Sequence, residues 1–201
     1  MSAMRARFLF LNLGHFVDHL FMLIFAKAAY DAGKAWGLGY DEMIVYGTPA
    51  AILFGAAAPI AAAAADRFGR NPLIVVFFVG IGAAAILASF ATTPLQLGFG
   101  LAAIGAFASI YHPVGITMVI QGGGNVGWRL GVNGVWGNMG VASAPLLTGF
   151  ILAAYDWRLA FILPGVISIA IGLAFLAFVR TGRAAPPAAS AREKAMVGMA
   201  P

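Results

Sequence analysis

Two histidines and an aspartate interrupt a run that is otherwise lipid-soluble. Asn12-Leu-Gly-His15-Phe-Val-Asp18-His19 is preceded by Phe8-Leu-Phe-Leu and followed by Leu20-Phe-Met-Leu-Ile-Phe. Ionisable groups at membrane depth are costly, so they face a bundle interior or a watery cavity. At about 100° per residue, Asn12, His15, Asp18 and His19 fall within one arc of roughly 120° on a helix. Histidine exchanges protons near neutrality. A stripe of this kind can bind or relay a proton, or offer hydrogen bonds to a solute, and it reads as the wall of a transport path.

The third histidine, His112, belongs to a separate apolar run. Counting from the charged end of each run at 1.5 Å per residue puts His15 roughly 12 Å deep, Asp18 roughly 16 Å and His112 roughly 13 Å. All three histidines are thus expected at one level. Ala102, Gly105, Ser109 and His112 form a small-polar stripe, with Tyr111 adjacent, and Pro113 can open the backbone where a cavity satisfies it. Asn133 and Trp136 are further lining candidates. Structural hydrogen bonding between packed helices is the plainer reading of any single histidine; four groups at matching depth favour a shared cavity. His15, Asp18 and His19, at i, i+3 and i+4, could share a metal, but this spacing is common on helix faces and nothing else fixes an ion. No metal, cofactor or catalytic residue is therefore assigned. An enzyme is not expected either, because nucleophile–base pairs are too few; Ser109, one turn from His112, is weak by itself.

The elements that must position these groups are membrane spans. The 201 residues are 62% hydrophobic and 9% charged, against about 25% charged for a soluble domain, and mean hydropathy is +0.92. There is no cysteine, which excludes disulfides and thiolate chemistry. Despite a net charge of +5, Lys and Arg never adjoin, so no nucleic-acid footprint is expected. Six runs are long enough to span: about Arg7–Tyr30, Tyr40–Ala65, Pro72–Ala91, Pro94–Gln121, Gly127–Tyr155 and Trp157–Val179. They are joined by turn-forming loops. The first run is read as a retained helix, too long and polar for a signal peptide. Residues 1–179 form the bundle, and the Ala/Pro/Ser/Arg-rich 180–201 reads as a disordered cytoplasmic tail or linker. Nine Lys and Arg fall at the termini, the second-to-third loop and the fourth-to-fifth loop, against three on the other side. The basic side is expected in the cytoplasm, with both termini there. Trp36, Trp128 and Trp157 are expected at the membrane interfaces.

The loop after the second run carries the sharpest motif. Ala62-Ala-Ala-Ala-Asp66-Arg67-Phe68-Gly69-Arg70 resembles the cytoplasmic signature of the major facilitator superfamily, Gly-x-Leu-Ala-Asp-Arg-x-Gly-Arg-Arg, with Ala62, Ala64 and Asn71 at the departures. Asp66 can cap the next helix or pair with a basic residue, and Gly69 permits the turn. Gly131-x8-Gly140-x3-Ala144-Pro145-x2-Thr148-Gly149 keeps the spacing of the family's fifth-helix antiporter motif, Gly-x8-Gly-x3-Gly-Pro-x2-Gly-Gly. Tight helix packing and a bending hinge at Gly131, Gly140, Pro145 and Gly149 are both open readings. Leu101 stands where the family's fourth-helix Arg precedes Gly105. Gly14-His-Phe-Val-Asp18-His19 and Ile110-Tyr-His112-Pro113-Val-Gly look like the matching helices of the fosmidomycin-resistance-like branch.

The resemblance implies an all-α integral membrane fold, six transmembrane helices arranged as two three-helix inverted repeats, which is half of a major facilitator fold. It implies a secondary active transporter of the inner (cytoplasmic) membrane, moving a small organic solute by alternating access, with proton-coupled efflux as one form. Asp66, Arg67, Gly69 and Arg70 would form a cytoplasmic gate. His15, Asp18, His19, Tyr111, His112, Asn133 and Trp136 would line the solute and proton path. The expected partners are the bilayer, the solute, protons, and a second six-helix half, either another copy or a separate subunit. The alternatives are a non-transporting membrane partner or an inactive truncated transporter.

Overall fold

A computed structural model describes residues 3–180, and the described residues are helical throughout apart from their connections. Helix α1 (Ala3–Lys34) is followed by α2 (Tyr40–Ile44), a single 3-10 turn, α3 (Thr48–Ala56) and α4 (Ala58–Phe68). Then come α5 (Arg70–Ser89) and α6 (Pro94–Ala108), a π-helical segment over Tyr111–Ile116, α7 (Thr117–Ile120), α8 (Val126–Ala154) and α9 (Leu159–Arg180). Helices α1, α5, α8 and α9 and the composite Pro94–Ile120 are each long and apolar enough to cross a membrane. The pair Tyr40–Ala56 and Ala58–Phe68, bent by 46°, makes a sixth.

The expected boundaries hold within a few residues, with one correction. The second span is not one helix over Tyr40–Ala65; it restarts at α3 and again at α4. Pro49 and Pro59 sit in the first turn of α3 and α4. A proline is tolerated there because that N–H has no helical partner anyway. Pro113 acts differently. In mid-helix it lacks the N–H the ladder needs, and the backbone widens to the π form around it. The Thr117 hydroxyl donates to the Pro113 carbonyl at 2.7 Å, so that oxygen is not left unpaired.

The packing follows small residues. The main helix pairs are α1 with α8, α5 with α9, α5 with α6, and α3 with α6. A side chain on Gly140 would strike the Phe16 carbonyl of α1, and one on Gly105 the Ala50 carbonyl of α3. Gly82 and Gly165 bring α5 and α9 equally close, a Cβ on Gly165 lying 2.9 Å from the Gly82 carbonyl. Association in lipid depends on such backbone approach and on interhelical hydrogen bonds. Ser168 supplies one, donating from α9 to the Phe78 carbonyl at 2.8 Å.

These pairings have the symmetry of an inverted repeat. Number the spans one to six and exchange first with fourth, second with fifth and third with sixth. First-with-fifth packing then becomes fourth-with-second, and third-with-sixth maps onto itself. All three pairings are present.

The two ends of the bundle are distinct. At one, Arg7 donates to the Asn71 side chain at 3.2 Å, and Phe8 lies 5.9 Å from Trp128 between ring centroids. The start of α1, the α4–α5 turn and the start of α8 therefore meet. At the other, Trp36 donates to the Thr92 carbonyl at 2.9 Å and packs 5.8 Å from Trp157. Trp157 is correspondingly only 2% exposed. It packs between the loops at that end of the bundle. The domain division at 180 leaves the expected tail outside the described residues, apart from Arg180, which closes α9.

Candidate functional site

Asp18 occupies the middle of α1, and its side chain is fully buried. His15 and His19 flank it one turn before and one residue after. Across from them the π-helical segment presents Tyr111 and His112, and α8 presents Asn133. The first and fourth spans thus meet at one level, as the depth count from sequence anticipates, and the fifth span joins them through Asn133.

The ring contacts are close. His15 lies 4.9 Å from His19 and 5.3 Å from His112 between centroids, and His19 lies 5.5 Å from His112. Tyr111 stacks on His15 at 5.0 Å. Phe54 of α3 closes another side of His112 at 5.6 Å; the sequence reading did not single it out.

Hydrogen bonds fix part of this set rigidly. The His15 Nδ1 lies 2.8 Å from the Asn133 carbonyl oxygen. A carbonyl only accepts, so Nδ1 carries the proton and, in the neutral ring, Nε2 carries the lone pair. The Tyr111 hydroxyl donates to the Leu11 carbonyl at 2.7 Å. The Asn133 side-chain amide donates to the Tyr111 oxygen at 2.9 Å and to Asn12 Oδ1 at 3.0 Å. Gly137, one turn after Asn133, leaves room for the His15 ring: a Cβ there would lie 2.7 Å from Nε2. Asn12, Tyr111, Asn133 and Gly137 therefore brace His15.

The rest of the set is less constrained. His19 Nε2 donates to His15 Nε2 at 3.1 Å. His112 Nε2 lies 3.3 Å from Asp18 Oδ2, within ion-pair range. No other side chain or backbone group hydrogen-bonds to either Asp18 oxygen among the described residues, so His112 is its partner. A buried carboxylate with a lone imidazole as partner is costly, and such groups mark functional positions in membrane proteins. His112 is more open, with a side chain 38% exposed. One helical turn farther along α1, a pocket of about 270 Å³ is walled by Phe21, Met22, Phe25, Ala50, Ala51 and Leu101, among others. It is apolar and continues the same side of α1.

The other sequence candidates fall elsewhere. Trp136 is half-buried on α8 and has no hydrogen bond or ring contact with the cluster among the described residues. Ser109 turns back on its own helix, donating to the Ala106 carbonyl at 2.7 Å. Gly105 serves the α3–α6 contact. The charged turn lies at the basic end of the bundle. There Gly69, at φ 88°, ends α4 and starts α5, a backbone form that favours glycine. Asp66 pairs with Arg70 at 3.8 Å and makes no helix cap; Gly69 holds that position. Arg67 lies over the Phe68 ring at 5.2 Å. Along the fifth-span motif, α8 runs unbroken through Pro145. Gly140 is a contact point with α1, Gly149 faces Lys27 at 3.6 Å, and Gly131 faces open space. Arg129, read from sequence only as a loop charge, is buried: it donates to the Val119 carbonyl at 2.8 Å and covers the Phe8 ring at 4.3 Å.

Comparison with known proteins agrees with this geometry. A puromycin resistance protein of Streptomyces alboniger, pur8, is 32% identical over 110 residues. That match covers 53% of this chain and 22% of the relative, so the chain spans about a fifth of that protein's length. The Major Facilitator Superfamily profile matches residues 11–201. With the inverted-repeat packing and the Asp66–Arg70 turn already in place, the chain belongs to the Major Facilitator Superfamily.

Proposed function

We propose that this chain forms one six-helix half of a secondary transporter that moves a small organic solute by alternating access. The observation that carries the reading is the convergence of His15, Asp18, His19 and His112 from two spans at the middle of α1. There Asp18 is fully buried with His112 as its partner, and His112 is partly open. A packed structural core has no use for such a carboxylate, whereas a solute or proton path does. The resistance protein among its relatives favours efflux as the direction. The apolar pocket beside the cluster suits a neutral, amphipathic or weakly acidic organic molecule. The likeness to the fosmidomycin-resistance branch rests on the histidine-bearing segments alone.

In this account the proton path runs past Asp18 and His112, beside His15 and His19 on α1 and the Tyr111 ring of the π segment. The basic end of the bundle faces the cytoplasm of a cell whose inner membrane holds the protein, and the Asp66–Arg70 turn gates that side. A second six-helix half, from another copy or another polypeptide segment, closes the cavity. Asp18→Asn, assayed in membrane vesicles at several pH values, is expected to remove pH-dependent solute movement while leaving the helical content intact. Transport by Asp18→Asn with an unchanged pH profile overturns the proposal.

A further inference from the structure

We infer that His15, His19 and His112 form a binding site for one divalent transition-metal ion of the zinc class, with Asp18 as its counter-charge. One ring nitrogen from each histidine lies within 4.8 Å of the other two. The closest pair, His15 Nε2 and His19 Nε2, stand 3.1 Å apart. Two imidazoles bound to one tetrahedral zinc at 2.0–2.1 Å hold their nitrogens about 3.3 Å apart. That hydrogen-bonded pair stands close to ligand spacing, and a bound ion would take the place of the proton the two nitrogens share. His112 completes the set by a ring shift of up to about 1.5 Å, and as the most open of the three it has room for that shift.

Two further observations point to a ligand. The first is the tautomer of His15. Its Nδ1–H is held by the Asn133 carbonyl, which aims the Nε2 lone pair at His19. Metal-binding histidines are oriented in this way, the far N–H bonded to a carbonyl or carboxylate. The Gly137 backbone packs against the same ring and helps to hold its orientation. The second is Asp18, whose buried carboxylate has His112 as its partner at 3.3 Å. A divalent ion among the three imidazoles would place a fixed positive charge beside this carboxylate, whose neighbour is the His112 ring. Imidazole-rich sets select zinc, copper, nickel or cobalt over magnesium and calcium, which prefer oxygen.

The sequence weighed His15, Asp18 and His19 as a metal set; the structure replaces Asp18 with His112 as the third ligand. The inference needs no transport. An ion bound by a protein that moves no solute leaves it standing, and solute movement without an ion defeats it alone.

The test uses the full chain, purified in detergent on a histidine-free tag and titrated with Co2+, whose visible absorption reports tetrahedral nitrogen ligation. One Co2+ per chain is expected, displaced by Zn2+ and not by Mg2+. His19→Ala and His112→Ala are expected to abolish the band, and Asp18→Asn to weaken binding about tenfold. Circular dichroism and gel filtration check each variant, and His19→Gln replaces any alanine variant that does not fold. Zn2+ is also expected to raise the melting temperature of the wild type and not of the histidine variants. Absence of Co2+ or Zn2+ binding to the wild type, or an undiminished band in the His19→Ala/His112→Ala double variant, overturns the inference.

Discussion

At the scale of single residues, the site divides into a fixed part and a responsive part. Asn133 belongs to the first. Its side chain joins Tyr111 and Asn12, while its carbonyl holds His15. Asn133→Ala keeps the carbonyl and removes the amide, leaving Asn12 without that buried donor. Leaving such a group unsatisfied costs about 1–3 kcal/mol. Thermal unfolding in detergent should therefore show a lower melting temperature, with the His15 tautomer retained; an unchanged melting temperature would contradict the bracing role. Asp18 belongs to the second part. The polar character and depth of these residues are legible in the sequence because ionisable groups stand out against an apolar run. The assignment of roles is not. Nothing in the spacing separates Asn133, central to the network, from Trp136, which stands apart, since the two differ by less than one turn.

At the scale of elements, glycine positions decide which helices approach. Gly140 meets the Phe16 backbone and Gly105 the Ala50 backbone, whereas Gly131 meets open space. Gly140→Val and Gly105→Val should each destabilise by about 1–3 kcal/mol through forced helix displacement. Gly131→Ala should be neutral or slightly stabilising, because alanine favours helix. Comparable melting temperatures for all three would overturn the packing account. The spans were readable from hydropathy to within a few residues. The break in the second span was not, although Pro49 and Pro59 announced it. In a run so rich in alanine, each proline passes as one more apolar residue unless it is weighed as the first turn of a new helix. Pro113 is legible as a place where the backbone opens, since it falls in mid-span beside His112.

At the scale of the whole molecule, the repeat symmetry and the meeting of basic segments at one end follow from the order of the spans and the charge of the loops. What covers the open faces of α8 and α9 does not follow, because an apolar face suits lipid and a second half equally well. In the proposed assembly, cysteine pairs placed on α8 should cross-link in native membranes to a second six-helix half. Cross-links to unrelated membrane proteins would favour the alternative of a non-transporting partner.

The central claim is that His112 and its neighbours line a water-accessible path inside the membrane. The chain contains no cysteine, so single cysteines can be read without background. The decisive measurement is labelling of His112→Cys and Ile167→Cys by a membrane-impermeant maleimide in native vesicles. Ile167 is 58% exposed near the middle of α9, on the outer surface of the bundle. Rapid labelling at position 112 with none at position 167 is predicted. Equal protection of both, from either side of the membrane, would contradict the account.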